Sequence, residues 1–415
     1  MKILPIIYLG YMFLSIYFIF FYLLLYFNNK KHLFEYPKAS REYSISVLVP
    51  AWNEEDTIKN TIEAIFAVDY PIKELIVIND GSTDNTKKIV QKLKKKYDNL
   101  KLINKKNTGK GDSLNKGIEK AKGELVVVVD ADSYPAKDSF RKMVGFFDDE
   151  KVGAATCVFV PRNINNFFEK LQNIEYCVIA FTRKLLGYVD AIYVTPGPLA
   201  MYRKSALKEI GGFDTENLTE DIEIAWNLTK AGYKRKMCLD TYATTTVPQK
   251  LKIWYRQRRR WNVGGLQCIA KYKGYLFKKG MLGFFILPFF FLQLFLGLLG
   301  LGIFFYLVIT RFFTNYLFIK YALPVGTPLL TMEDLHITGS FLNYLGIVIF
   351  IIGFIFTLFA LSVIKSSILK KQSFFNILFY SLVYLLVYPF IMVSACLLYT
   401  SPSPPDLSTS RMPSS

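Results

Sequence analysis

Four stretches of the chain are apolar without a charged residue: Ile3–Phe27, Leu282–Ile309, Phe341–Ile364 and Phe374–Leu398. Each is long enough for a bilayer core of roughly 30 Å, which needs about 20 residues. The first lacks a small-residue cleavage site and predicts a retained anchor. Between the first two stretches, residues 44–247 alternate short apolar runs with amphipathic helical patterns. The pattern predicts strands at Ser44–Val49, Glu74–Asn79, Leu100–Ile103 and Glu124–Val129, and helices at Thr57–Phe66, Asp84–Lys95 and Lys110–Ala121. Leu125–Val129 is apolar on both faces, as a central parallel strand requires.

Polar residues follow each predicted strand: Pro50–Glu55, Asn79–Asp84, Asn107–Asp112 and Asp130–Asp132. In open α/β sheets the ligand crevice lies at the carboxyl ends of the strands, so four polar loops on that edge predict a nucleotide site. Residues 248–281 interleave Trp254, Arg256, Arg258, Arg259, Arg260 and Trp261 at helical spacing, which predicts an amphipathic helix on a membrane surface. The expected organisation is an anchor at 1–28, a cytosolic α/β domain at 29–247, an interfacial helix region at 248–281, three membrane helices within 282–399 and a disordered or artefactual tail at 400–415.

Composition agrees with a membrane class. The 415 residues are 52% hydrophobic and include 36 Phe and 27 Tyr. The formal net charge is +18, and its placement sets the orientation. Lys30, Lys31, Lys38 and Arg41 follow the first stretch, Lys271, Lys273, Lys278 and Lys279 precede the second, and Lys365, Lys370 and Lys371 separate the last two. The loop expected between the second and third holds only Arg311 and Lys320. Positive-inside bias therefore puts 28–281 and 365–373 in the cytosol, and residue 325 across the membrane. Bases beside anionic lipid account for the surplus, so no nucleic-acid partner is expected. Cys157, Cys177, Cys238, Cys268 and Cys396 include no CxxC and point to neither a disulfide framework nor a zinc site. His32 and His336 lie outside the polar loops, so acid–base chemistry falls to carboxylates.

Asp130 and Asp132, two residues apart where a buried strand ends, can converge on one hard cation, Mg²⁺ or Mn²⁺, that also binds a diphosphate. An acidic surface turn is the plain alternative. Asp80-Gly81-Ser82 could meet nucleoside hydroxyls or an imide, or simply form a turn, with Ser82 or Asp84 capping the next helix. Thr219-Glu220-Asp221 opens an apolar-periodic helix, either as an N-cap with acids on the helix dipole or with Asp221 as a general base. Gln257 and Arg260 share a helical face and could clamp a diphosphate, while Trp261 could stack on a sugar ring. Membrane anchoring fits that segment equally.

The order and spacing of these motifs resemble the processive family-2 glycosyltransferases, the hyaluronan, chitin, cellulose and poly-N-acetylglucosamine synthases. The resemblance runs from about Ser44 to Gly265. It rests on Val49-Pro50-Ala51-Trp52-Asn53-Glu54, Asp80-Gly81-Ser82, Lys110, Asp130-Ala131-Asp132, Thr219-Glu220-Asp221 and Gln257-Arg258-Arg259-Arg260-Trp261. It implies a GT-A-type, Rossmann-like cytosolic domain between transmembrane helices and an inverting transfer from a nucleotide-sugar, such as a UDP-sugar, to a growing polysaccharide. In that comparison Pro50, Ala51, Asn53, Glu54, Asp80, Lys110, Asp130, Gln257 and Arg260 bind the donor, and Asp130 and Asp132 hold Mg²⁺ or Mn²⁺. Asp221, beside Glu220, is the catalytic base, and Trp261 and Thr219 meet the acceptor. One base suffices because a nucleoside diphosphate leaves without being protonated.

Two positions depart from the family pattern. Asn79 replaces a frequent Asp, and Thr195-Pro196-Gly197-Pro198 replaces a small-residue loop. No soluble domain follows the last apolar stretch, unlike bacterial cellulose synthases, which leans the expectation toward an N-acetylglucosamine or hyaluronan-like polymer. Four spans are few for a sealed channel, so a homo-oligomer, an accessory export protein or a C-terminal part missing from a truncated sequence is expected to complete it. The alternatives are a non-processive transferase acting on a polyprenyl-phosphate or other lipid acceptor and, from another class, a transporter or scaffold. The latter predicts charged intramembrane helices, which the apolar stretches lack.

Overall fold

The structure, a computed structural model, describes residues 3–322, 341–364 and 372–400. An eight-stranded mixed sheet has the order β3-β2-β1-β4-β7-β6-β8-β5. Its strands are β1 (Ile45–Ala51), β2 (Glu74–Asp80), β3 (Leu100–Lys105), β4 (Leu125–Val128), β5 (Ser133–Pro135), β6 (Val152–Pro161), β7 (Ala200–Arg203) and β8 (Lys234–Thr245). β1 pairs in parallel with β2 on one side and β4 on the other, and β2 pairs in parallel with β3. The connection that leaves β3 and returns beside β1 makes a switch point between β1 and β4, where such sheets open a crevice. β7 runs antiparallel to β4 and β6, and β8 is parallel to β6.

All residues of β1, β2 and β4 are buried, because helices cover both faces. The helices α1 (Ile3–Asn29), α2 (Ile58–Phe66), α3 (Thr86–Leu93), α4 (Lys110–Lys120) and α5 (Ser139–Val144) are followed by α6 (Phe167–Leu186), α7 (Lys204–Glu209), α8 (Glu220–Lys230) and α9 (Leu251–Tyr272). One core under the sheet joins Ile58 and Ile62 of α2 to Val47 and Val77, and the opposite core joins Leu114 and Ile118 of α4 to Leu48 and Ile76. Thr219 stands at the N-cap position of α8 but makes no side-chain bond into it, and the N-cap position of α3 is Asn85 rather than Ser82. Asp84 instead accepts from the backbone N–H of Thr86 at 3.0 Å and of Glu55 at 3.0 Å, tying α3 to the loop after β1. Thr219 donates its hydroxyl to Asn217 at 3.1 Å.

Among the described residues, four helical segments are long and apolar enough to cross a membrane: Pro5–His32, Leu282–Tyr321, Gly346–Val363 and Phe374–Thr400. The second differs from expectation. After a π-helical turn at Leu282–Ile286, α10 (Leu287–Ala322) continues past Ile309, so Arg311 and Lys320 sit on helix rather than in a loop. The third is α11 (Phe341–Val363). The fourth divides into α12 (Phe374–Phe379), a π-helical turn at Tyr380–Tyr384 and α13 (Val387–Thr400). Residue 325, His336, residues 365–371 of the expected cytosolic loop and residues 401–415 of the tail lie outside the described residues.

The helix carrying Trp261 also differs from a surface-lying helix. Trp254 and Arg258 are 1% and 0% exposed. Arg258 is ion-paired to Glu175 of α6 at 2.7 Å, and Glu175 also accepts from the Tyr384 hydroxyl at 2.7 Å and from Tyr388. The Trp254 ring packs on Tyr384 with centroids 5.0 Å apart. The fourth apolar segment thus docks on α6 and α9 through tyrosines, which carry an apolar body and a hydroxyl that needs a buried acceptor.

Candidate active site

The switch-point crevice gathers loops from distant parts of the chain. β1 delivers Pro50, Trp52 and Glu54, and the residues just past β4 supply Asp130, Ala131 and Asp132. The start of α4 supplies Lys110, the start of α8 supplies Thr219, Glu220 and Asp221, and α9 supplies Gln257, Arg260 and Trp261. All of these line one cavity of about 170 Å³. Gln257, Arg260 and Trp261 reach it together because i, i+3 and i+4 share a helical face. The next residue on that face is Gly264, where a Cβ would fall 2.0 Å from Thr219 Oγ1, so the glycine lets α9 approach the start of α8.

Three expected donor residues are placed elsewhere. Ala51 is fully buried in β1. Asn53, at φ 55°, turns its side chain to accept from the Thr83 N–H at 2.8 Å, bracing the loop after β2. Asp80 is 0% exposed and does not line the cavity. Its carboxylate accepts from the backbone N–H groups of Thr108 (3.1 Å) and Gly109 (3.0 Å) and from Lys105. It therefore fixes the loop that presents Lys110. Asn79 likewise turns away, donating to Asn104 at 3.0 Å.

Lys110 organises the charges. Its Nζ lies 2.7 Å from Asp130 Oδ1 and 2.7 Å from Glu220 Oε1. Burial alone would lower the Lys110 ammonium pKa, but the charges of Asp130, Glu220 and Asp221 outweigh it and raise the value. For Glu220 burial pushes upward, and the Lys110 charge outweighs it and holds the carboxyl low. Asp221 is pushed up to about 6, first by burial and then by the charge of Glu220, against the pull of Lys110 and Arg260. Neighbouring carboxyls driven apart in this way can take different roles, one ionised in a pair and one able to exchange a proton near neutrality. Glu54 is pushed up to about 8 by burial, and the charges of Asp132, Asp130 and Asp84 add to it against a hydrogen bond from Thr57.

Asp130 and Asp132 fit a divalent cation. Asp132 is 3% exposed with Oδ1 accepting from the Ser133 hydroxyl at 3.2 Å, and Asp130 already holds the cationic Lys110. Among the described residues no group of three or more His, Cys, Asp or Glu side chains forms a closed metal site. A cation shared with a diphosphate needs only one or two protein carboxylates, so the pair is the right kind of donor set.

The unexpected loop 195–198 forms one wall. Gly197 accepts from the Asp130 N–H at 3.1 Å, and a Cβ on Gly197 would stand 2.4 Å from Asp130 Oδ2 and 2.6 Å from Lys110 Nζ. Thr195 donates its N–H to the Asp221 carbonyl at 3.1 Å, pinning α8 to that wall. The opposite wall is α6, whose Tyr176, Ile179, Ala180 and Arg183 line the cavity. Sequence reading missed these residues; their i, i+3, i+4, i+7 spacing is the only signal that marks them as one face.

A second cavity, of about 250 Å³, adjoins the first and shares Ile179, Arg183, Pro196, Asp221 and Trp261 with it. It runs between α9, α10 and α13 along Leu266, Ile269, Phe290, Leu294 and Met392.

Comparison with known proteins is consistent with this geometry. Residues 46–211 match the model of glycosyl transferase family 2. The chain is 34% identical over 229 residues to the poly-beta-1,6-N-acetyl-D-glucosamine synthase of Staphylococcus epidermidis, covering 55% of this chain and 56% of that one. The Staphylococcus aureus (strain MSSA476) protein of the same name is equally similar, 34% over 229 residues with the same shares of each chain. The chain thus spans just over half the length of these relatives. A mannosyltransferase from Pyrobaculum calidifontis, solved with GDP-Man and Mn²⁺, superposes with a TM-score of 0.57 at 20% identity over 94% of this chain and 98% of that one. At that identity the likeness speaks for the fold, which is GT-A-like.

Proposed function

We propose that this chain, whose residues 46–211 match the glycosyl transferase family 2 model, belongs to that family and is a membrane-embedded inverting enzyme that moves a sugar from a cytosolic nucleotide-sugar onto a growing polysaccharide. The observation that carries the reading is the convergence of Lys110, Asp130, Asp132, Asp221, Gln257, Arg260 and Trp261 on one cavity beneath the apolar helices. The similarity to synthases of a β-linked N-acetylglucosamine polymer supports UDP-N-acetylglucosamine as donor.

In this reading Gln257, Arg260 and Lys110 hold the diphosphate. Mg²⁺ or Mn²⁺ at Asp130 and Asp132 would supply positive charge to the departing diphosphate. Asp221 takes the proton from an acceptor hydroxyl whose oxygen attacks the anomeric carbon. The bond to the diphosphate breaks on the opposite side, which inverts the configuration. Trp261 holds the acceptor sugar by stacking, as an aromatic face suits the C–H patch of a pyranose. Asp80 and Asn53 act through the loops they brace. The α/β domain faces the cytosol, where nucleotide sugars are made, and the product leaves through the membrane side with a second copy or an export partner.

A second reading, transfer to a lipid acceptor, is favoured by the apolar cavity next to Asp221. Incubating the detergent-purified chain with labelled nucleotide sugars and sizing the product separates the two. A high-molecular-weight product from UDP-N-acetylglucosamine supports the polymer reading. A single-sugar lipid replaces it.

A further inference from the structure

A third cavity, of about 440 Å³, shares no lining residue with the active cavity. It opens where the chain leaves α1, between residues 32–37, the end of α6 and the start of β8. α6 faces the active cavity through Tyr176, Ala180 and Arg183, and this one from Lys184 onward. Lys184 is 7% exposed. Its Nζ donates to the Met237 carbonyl at 3.0 Å and lies 5.3 Å from the Tyr188 ring centroid. An ammonium carries three donors, so two stay unused among the described residues. No carboxylate among those residues pairs with it, since Glu35 is held by His32 at 2.6 Å and Asp190 by Lys236 at 3.0 Å. Burial pushes the Lys184 ammonium down to about 8, and the charge of Lys236 adds to the shift against Cys238 and Glu35. The Tyr188 hydroxyl is likewise sealed from solvent without a hydrogen-bond partner. Buried polar groups left open in this way call for an explanation.

The last turn of α6 favours a cation through the helix dipole, but that leaves the free N–H groups of Lys184 without acceptors. Lys184 and Tyr188 line the cavity together, and Lys236 stands beside them, 3.0 Å from Asp190. A buried ammonium, a phenol hydroxyl and a second cation match an oxyanion with several acceptor oxygens, and charge-assisted bonds to such a group are the strong ones. The cavity is larger than a bare phosphate and leaves room for an ester substituent against Tyr36 and Phe146. The 3₁₀ turn Lys30–His32 follows the first candidate membrane span directly, so the cavity stands at the level of phospholipid head groups.

We infer that the cavity at the foot of α1 is a binding site for a phosphate ester, with Lys184 as the buried cation that holds the phosphate, Tyr188 as a second donor and Lys236 beside them. A phospholipid head group and a soluble phosphomonoester offer the same oxygens to these donors. The site stands apart from the transfer chemistry and does not depend on the transferase reading.

The test uses the full chain in neutral detergent with glycerol 3-phosphate, dihexanoyl phosphatidylglycerol and their phosphate-free counterparts, glycerol and dihexanoylglycerol. At least one ester is expected to bind ~10-fold or more tightly than its counterpart, the contribution of a charge-assisted hydrogen bond. Lys184→Met should remove that preference and Lys184→Arg should keep part of it. Tyr188→Phe removes only an unpartnered hydroxyl, so it should melt no lower than wild type and still weaken binding several-fold. A bound ester should also slow the labelling of Lys184 by an amine reagent at pH 8, read by peptide mass, which fixes the site. Tighter binding of the phosphatidylglycerol assigns the site to lipid, and tighter binding of glycerol 3-phosphate assigns it to a soluble ester. Failure of both esters to bind overturns the inference, as does equal binding of the phosphate-free compounds. Lys184→Met that melts lower but binds like wild type gives the ammonium to Met237 and the fold, and also overturns it. If Lys184→Met does not fold, Tyr188→Phe and the labelling decide: unchanged binding in that variant with no protection of Lys184 in the wild type contradicts the site.

Discussion

Lys110 Nζ stands 2.7 Å from Glu220 Oε1, joining the first residue of α4 to the first turn of α8. The same ammonium holds Asp130 Oδ1, so one cation bridges the expected metal pair and the expected base region. Lys110→Met leaves two facing carboxylates without their shared counter-charge and removes a positive group aimed at the diphosphate. The expected loss in kcat is on the order of 100-fold or more, as for removal of a preorganised electrostatic contact. Steady-state kinetics with UDP-N-acetylglucosamine check it. Lys110→Arg should recover only part, because Gly197 leaves little room around Nζ.

The pH profile should report Asp221. Its carboxyl is raised to about 6, so the ionised base accumulates as pH rises through that value. The rate of the free enzyme is expected to climb from pH 5 to 7 and then level. Its folded pKa lies above the unfolded one, so its stabilising contribution is present at low pH and lost as pH rises through the folded value. Asp221→Asn should therefore be at least as stable as wild type at pH 7, and thermal melting of the two proteins compares them directly.

Asp130→Asn and Asp132→Asn should each abolish transfer with expression and melting preserved. EDTA should silence the wild type, and Mg²⁺ or Mn²⁺ should restore it. Full activity in excess chelator would remove the cation from the account.

The Glu175–Arg258 pair anchors the face that carries Trp261. The Arg258 guanidinium lies 4.0 Å from the Trp261 ring centroid and donates to Gln257. Glu175→Ala leaves a fully buried guanidinium unpaired and should cost roughly 3–5 kcal/mol of stability. Trp261→Ala should instead leave stability nearly unchanged and shorten the product, with donor binding kept. Melting curves and a product gel on the two variants separate these effects.

Much of the fold was legible where the sequence pattern is strong. β1, β2 and β4 are apolar on both faces, and α2, α3 and α4 have regular polar faces, so their bounds were read to within one or two residues at most ends. β5 to β8 and α6 were not read. β8 spans twelve residues with alternating burial and interspersed Lys and Arg, which breaks the apolar run. α6 buries Glu169, Glu175, Arg183 and Lys184, so its inward face looks polar in sequence. The same reversal hid the inward placement of Arg258 and the docking tyrosines of the last apolar segment. At the site, motif order located Asp130, Asp221 and Trp261, all of which line the cavity. It could not foresee that Asp80 would be buried, because a strand-end Asp can face either a ligand or the next loop.

The most direct measurement compares donor binding with turnover in Asp221→Asn. If Asp221 is the base, the dissociation constant for UDP-N-acetylglucosamine should stay within about 3-fold of wild type while transfer falls on the order of 10²–10⁴-fold, the range for loss of a general base. Retained transfer, or loss of donor affinity alone, would contradict the account.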